Sequence, residues 1–265
     1  PPTHRGLRLA GAFAALAAAS AVNAAPVPID LTTWSQRGPA GNGTWTVAPG
    51  GSSVLQSING DPTFFVGSTN QINTTLRGKI RVGADGDDDL VGFVLGFKSP
   101  VSNGNDMDFL LFDWKQGTQN FGGSISQEGF ALSRVQGTIT DYLPGFWARQ
   151  DSTGFDNLAT NYGDTLGWVD NVEYDFTILY QESRIKIDIA GGDFGTGTTV
   201  FDVAGTFEAG RFGFYNYSQS QVTYSGLTEE DTPPPPNDVP EPGGLALAGL
   251  ALALLGRAGR KRSMR

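Results

Sequence analysis

Between Ile29 and Leu227 the chain repeats one motif of construction: a short run of aromatic and β-branched residues closed at each end by Gly, Asn, Asp or Ser. The runs are Gly43 to Ala48, Ser53 to Ile58, Leu76 to Val82, Leu90 to Phe97, Asp108 to Lys115, Phe130 to Val135, Tyr174 to Tyr180, Arg184 to Ile189, Thr198 to Val203 and Gly210 to Tyr217. Runs this short, with turn residues between them, predict a β-sandwich or barrel rather than alternating helices and strands. In Arg184-Ile185-Lys186-Ile187-Asp188-Ile189 every second residue is apolar. That alternation puts the isoleucines on a core face and Lys186 and Asp188 toward water. Leu90 to Phe97 and Phe109 to Trp114 are apolar at nearly every position, so both strands are expected to be covered on both faces and to lie mid-sheet. The 37 glycines, 17 phenylalanines, 7 tyrosines and 5 tryptophans suit such a body. A domain of about 200 residues buries roughly 70% of its unfolded surface and needs no disulfides. The least regular stretch, Asp141 to Gly167, reads as a long functional or mobile loop. Its Trp147 and Tyr162 are candidates for stacking on sugar rings, with core or loop staples as the plainer reading.

Several chemistries are excluded at once. There is no cysteine, and the single histidine, His4, falls in a segment read below as a removable leader. Disulfide scaffolds, thiolate nucleophiles, serine–histidine triads and histidine or cysteine zinc sites are therefore out of reach of the body. From Pro26 to Asp238 there are 26 acidic and 11 basic residues, a net of −15. A body so acidic repels a phosphate backbone, so nucleic acid is not an expected partner; metal cations are.

The two ends read as addresses. Arg5 and Arg8, an apolar run from Leu9 to Ala21, and Val22-Asn23-Ala24-Ala25-Pro26 follow the order of a helical secretory signal peptide over residues 1–25. Residues 26–228 form the body, and residues 229–238 a proline-rich spacer within a stretch, Thr232 to Pro242, that holds six prolines. Gly243 to Gly256 is apolar throughout and is followed by five basic residues. As a helix these fourteen residues span roughly 21 Å, short of the roughly 30 Å hydrocarbon core, which suits a transient membrane anchor. The basic cluster is expected to hold the extreme C-terminus in the cytoplasm. Val239-Pro240-Glu241-Pro242, the short Leu/Ala segment and the terminal arginines together resemble the PEP-CTERM sorting signal of Gram-negative bacteria over residues 239–265. The resemblance implies an exosortase as a partner during sorting, transient contact with the inner membrane, and export to the cell surface or extracellular matrix.

The densest chemistry is Asp85-Gly86-Asp87-Asp88-Asp89, between the runs ending at Val82 and beginning at Leu90. Carboxylates this close repel one another unless something positive lies among them, and oxygens on a turn can converge on a hard cation. A solvated, Asp-rich hairpin is the alternative. Calcium takes six to eight oxygens, so further ligands have to come from other loops, such as Asp61 in Asn59-Gly60-Asp61-Pro62 or the acidic loop Asn103 to Asp108.

Ser53 to Pro62, Leu76 to Val82, Asp87 to Phe97, Phe109 to Gln116 with its Trp114-Lys115-Gln116 triplet, Gly167-Trp168 with Tyr174, and Arg211 to Val222 resemble the thrombospondin C-terminal domain in order and spacing. The resemblance runs from about Trp34 to Leu227. It implies an all-β, concanavalin A-like jelly-roll sandwich with calcium as its cofactor, working in adhesion outside the cell. The family's triple aspartate corresponds to Asp87, Asp88 and Asp89, and its Asp-Pro turn to Asp61; Asp85 adjoins them. Three departures stand out. These 265 residues hold no cysteine and no calcium-rich repeat, the connection from Phe97 to Asp108 is long, and Asp113 stands where the family has an apolar residue. Asp113 is expected to be surface-exposed or an added ligand.

The function expected is a non-catalytic, calcium-binding adhesion or glycan-binding module, its ligand an extracellular polysaccharide or a surface protein. A matrix protein with a purely stabilising calcium site is the alternative. A glycoside hydrolase is disfavoured, because no strand supplies the Glu-x-Asp-x-Glu of jelly-roll glucanases; Glu173-Tyr174-Asp175 gives only a pair.

Overall fold

The computed structural model describes residues 25–100 and 105–233. The leader before Ala25, the end of the spacer, and the sorting tail with Val239, Pro240, Glu241 and Pro242 lie outside the described residues. Seventeen strands are present among those described: β1 (Val27–Pro28), β2 (Ser35–Arg37), β3 (Trp45–Val47), β4 (Ser53–Gln56), β5 (Thr63–Gln71), β6 (Thr74–Val82), β7 (Leu90–Phe97), β8 (Met107–Lys115), β9 (Gln119–Phe121), β10 (Ser124–Ser126), β11 (Gly129–Gly137), β12 (Phe155–Tyr162), β13 (Glu173–Gln181), β14 (Arg184–Ala190), β15 (Thr198–Ala204), β16 (Gly210–Tyr217) and β17 (Val222–Asp231).

Two antiparallel sheets face each other in a jelly-roll sandwich. One runs β15-β14-β13-β6-β17-β4-β3, with β1 added beside β17; the other runs β12-β11-β8-β7-β16-β5-β2. The core between them takes the inward residues of both, among them Ile80, Phe93, Phe112, Phe130, Phe176, Ile187 and Phe214. Full burial of each such side chain contributes about 1.5–3 kcal/mol. In β14 the isoleucines are buried and Lys186 and Asp188 half-exposed, as the alternation requires.

The seven-stranded sheet is buried on its other face as well. Phe64, Leu90, Val94, Phe97, Phe109, Leu111 and Tyr215 form a second apolar layer there, covered by Phe146, Trp147 and Phe155. Every residue of β7 is buried, which is why that strand carries no polar alternation. The stretch Asp141 to Gly167 is thus largely structural rather than a long loop. It holds a single π-helical turn, Leu143–Trp147, and strand β12, paired along β11. Trp147 is buried and donates its indole N–H to the Ser124 carbonyl at 3.1 Å, so it is a staple and not a sugar platform. Tyr162 is half-buried, with the Arg149 guanidinium 4.7 Å from its ring centre.

Asp113 is not exposed and does not join the aspartate cluster. It points into this second layer with no solvent exposure, and Arg149 Nη1, equally buried, donates to its Oδ1 at 3.0 Å. The register sets Tyr215, Gly92 and Asp113 side by side across β16, β7 and β8. A side chain at Gly92 would collide with the Phe112 carbonyl, so only glycine allows β7 and β8 to approach here. Strand β17 runs to Asp231, into the segment assigned from sequence to the spacer. It bends at Gly226, where a backbone φ of +62° and a register shift between Ser225 and Thr228 mark a bulge.

Candidate functional site

Four acidic or amide-rich connections meet at one end of the sandwich: β4 to β5, β6 to β7 and β16 to β17, each crossing from one sheet to the other, and β8 to β9. Backbone bonds tie them together, from Ser218 N to the Gly60 carbonyl (2.7 Å), from Gly83 N to Gln221 (2.8 Å), and from Gln116 N to Asp88 (3.2 Å). Trp168, from a further loop, closes the rear by donating to the Asp89 carbonyl at 3.2 Å.

Asp87, Asp88 and Asp89 each offer a carboxylate oxygen within 4.8 Å of the others, and this is the one such grouping among the described residues. The three are not equivalent. Asp89 is buried, Asp87 and Asp88 half-exposed. The ammonium of Lys115, at the end of β8 and fully buried, donates to Asp89 Oδ1 at 2.7 Å and to Asp88 Oδ1 and the Asp88 carbonyl at 3.0 Å each. Gln119 Oε1 completes its shell at 3.1 Å, and the Trp147 ring centre lies 4.8 Å away. One cation therefore serves two of the carboxylates from inside and leaves the third without a positive partner.

That third group is Asp87. Burial, then the charge of Asp89, with smaller contributions from Asp85 and Asp88, push its carboxyl up to about 6, against a lowering by the Asp88 N–H. Asn59, on the neighbouring connection, donates to Asp87 Oδ2. Asp85 is exposed and held off to one side, where Ser220 Oγ and Gln219 Nε2 (3.1 and 3.2 Å) donate to its carboxylate. Gln219 has no solvent exposure; its Oε1 accepts from Asp89 N at 2.8 Å, so one amide links the two ends of the aspartate run. Asp61 is exposed at the head of β5 and is not gathered with the triple aspartate. Its charge is felt instead by Tyr142 and Tyr217, where it adds to burial in raising both phenols.

The donors facing outward here are all oxygens, the set a hard divalent cation prefers. Burial first, and the neighbouring carboxylates second, raise Asp87, and no cation among the described residues lies beside it to offset them. The residues therefore fit calcium by donor type. Asp87 and the outer oxygen of Asp88 would hold it, with Asn59 and Asp85 adjoining, while Lys115 already neutralises Asp89. Lys115, Gln219 and Asn59 escaped the reading of charge pattern alone. In the sequence, Lys115 stands out only as part of the Trp114-Lys115-Gln116 triplet and Gln219 only within Arg211 to Val222, both marks of family resemblance.

The Glu173 and Asp175 pair lies on the outer face of β13, both exposed, with Lys79 bonded to Glu173 and 3.5 Å from Asp175. A lysine bridging both is what solvated outward carboxylates on a strand acquire, and it occupies them.

A profile of the family described as "Thrombospondin C-terminal region" matches residues 40–231. The chain belongs to this family. Thrombospondin-3b of Danio rerio is 28% identical over 193 residues, and thrombospondin-2 of Gallus gallus 26% over 219, covering 69% and 77% of this chain. The chain spans about a fifth of those relatives' own length, 20% and 17%. Among solved structures, the VIP36 exoplasmic/lumenal domain in its Ca2+/Man-bound form superposes with a TM-score of 0.51 at 10% identity, over 78% of this chain and 86% of that one. The thrombospondin C-terminal region thus has here the sheet arrangement of a lectin-type jelly roll.

Proposed function

We propose that this thrombospondin C-terminal region is a non-catalytic, calcium-dependent adhesion or glycan-binding module that works outside the cell. The observation that carries the reading is the uncompensated Asp87 carboxylate beside Asp88 and Asp89, on loops locked at one end of the sandwich. A cation held there ties the β6–β7 loop to its neighbours and fixes the shape that this end presents to a partner. Lys115, Gln219 and Trp168 position the aspartates; Asp87 and Asp88 bind. The thrombospondin relatives support the adhesive role, and the Ca2+/Man-bound VIP36 domain supports a calcium-assisted glycan contact on this architecture. The acidic body and the leader-like and PEP-CTERM-like ends support export to the cell surface or matrix, with an exosortase and the inner membrane as transient partners in sorting and an extracellular polysaccharide or surface protein as the ligand.

Isothermal titration of calcium into metal-free protein tests the first half. Binding is expected in the wild type and a loss of at least about tenfold in Asp87→Asn, since removing a charged ligand removes a charge-assisted contact of roughly 1.5–3 kcal/mol. Equal affinity in the variant refutes the site. Calorimetry against extracellular polysaccharides, with and without chelator, tests the second half; heats that persist unchanged in chelator refute a calcium-dependent contact.

A further inference from the structure

At the end of the sandwich away from the aspartates, a hollow of about 230 Å³ opens between β5 and β17. Its floor is Trp34 and Phe212, in edge-to-face contact at 6.1 Å between ring centres, and its rim includes Gln71, Glu229, Ser68 and Thr33. The turn Leu31–Thr33 that leads into Trp34 is set by Asp30, whose carboxylate accepts from Thr32 N and Oγ1 at 2.9 and 2.7 Å. Gly67 of β5 lies against the Trp34 ring; a Cβ there would stand 3.1 Å from Cε2, so glycine lets the indole lie along the strand.

Three polar groups at this hollow are unspent. Of the five tryptophans, Trp45, Trp114, Trp147 and Trp168 each donate the indole N–H within the protein, at 3.2, 2.6, 3.1 and 3.2 Å. Trp34 Nε1 has no acceptor among the described residues. Gln71 is 7% exposed, lines the hollow, and its amide has no hydrogen-bond partner among the described residues. The amide borders the hollow and reaches solvent there, so its donor and acceptor are free to meet a ligand in place of water. Glu229 forms no ion pair among the described residues and adds an acceptor that carries charge. An aromatic floor, an indole N–H, one amide with both donor and acceptor, and a carboxylate with no cation nearby suit a ring bearing several hydroxyls. They exclude an anion. The volume is below the roughly 300–1,000 Å³ of a drug-sized site, so it takes one ring.

The geometry points to a binding site for a single neutral hexose unit in the Trp34–Gln71–Glu229 hollow, independent of calcium. It goes beyond the function proposed above, because it lies at the opposite end and uses no cation.

The test is proton–nitrogen NMR of the indole N–H signals in the whole protein, with Trp34 assigned from Trp34→Phe. Glucose, galactose, mannose and their methyl glycosides are titrated, with glucuronate and tetramethylammonium as controls, in calcium and then in chelator. The expected result is a saturable shift of the Trp34 signal by at least one neutral hexose, unchanged by chelator and absent with glucuronate. Gln71→Leu, which keeps the side-chain bulk, should weaken it about tenfold. Equal shifts from the methyl glycoside assign the end of a glycan chain; a shift from the free sugar alone assigns a free monosaccharide. No shift with any hexose overturns the proposal, as does a shift with tetramethylammonium instead. A shift confined to Trp168, which sits on Asp89, and lost in chelator also overturns it while leaving the calcium-dependent reading standing.

Discussion

Arg149 reaches Asp113 from 36 residues away and meets it where neither touches water, with a backbone φ of +55° at the arginine itself. Burial outweighs the attraction of the guanidinium and pushes the Asp113 carboxyl up to about 6, from an ordinary value of 3.8. A carboxyl raised on folding contributes stability that is whole below its unfolded pKa and is lost as pH rises through the folded value. On this account alone, unfolding free energy should fall by about 2 kcal/mol between pH 4 and pH 6. Urea unfolding across that window should show the fall in the wild type and a flatter profile in Asp113→Asn; parallel profiles would refute the assignment. Lys115 gives the complementary case. Lys115→Met keeps the shape but leaves Asp88 and Asp89 facing each other without their ammonium, which should cost roughly 3–5 kcal/mol in chelator. Added calcium should restore more stability to this variant than to the wild type, and equal calcium responses in scanning calorimetry would sink the idea that the lysine is a built-in counter-ion. The aspartate triplet was legible in the sequence because its residues are contiguous. The partners of Asp89 and Asp113 were not, since nothing in the order of residues tells which lysine or arginine a fold will bring to a buried carboxylate.

Among the elements, β7, β8 and β14 were readable because burial writes itself into their composition, as an unbroken apolar run or a strict alternation. Strands β5, β12 and β17 were not. The second half of β5, Gly67 to Gln71, is small and polar; β12 is an edge strand of mixed polarity; and β17 ends in Thr-Glu-Glu-Asp after a glycine bulge. Each is held by pairing with a neighbour rather than by its own pattern. The π-helical turn at Leu143–Trp147 was concealed for the same reason, since its role is to cover a sheet face that only the assembled fold defines. Phe146 stacks on Tyr215 and meets Phe155 edge-on. Phe146→Ala should therefore cost about 3–5 kcal/mol in urea unfolding, with no change in the calcium titration. A loss below 1 kcal/mol would mean that the turn is not the lid of the second layer.

At the scale of the described fold, the aspartate-rich connections sit at one end of a sandwich that already has a full core. Such a body folds without the ion, so calcium should raise its melting temperature rather than make folding possible. A hundredfold excess over Kd is worth about 2.7 kcal/mol. Differential scanning calorimetry should show a rise in calcium that is abolished in Asp87→Asn; a melting temperature indifferent to calcium would count against any metal at this site. The sandwich itself was legible, since turn spacing implied it. The hollow at Trp34 was not, because its walls come from both sheets and from segments far apart in the chain. Strand β17 begins at the acidic end, beside Val82, and finishes at the other, beside Thr74, while β1 lies antiparallel to its far portion. Tension applied between a partner gripping the aspartate loops and whatever holds the C-terminal tail would run lengthwise along β17 and load its bonds to β6 together, in shear. Tension between the two chain ends would instead peel Val27 and Pro28 away a pair at a time, so the domain resists force along one axis and yields to it along another.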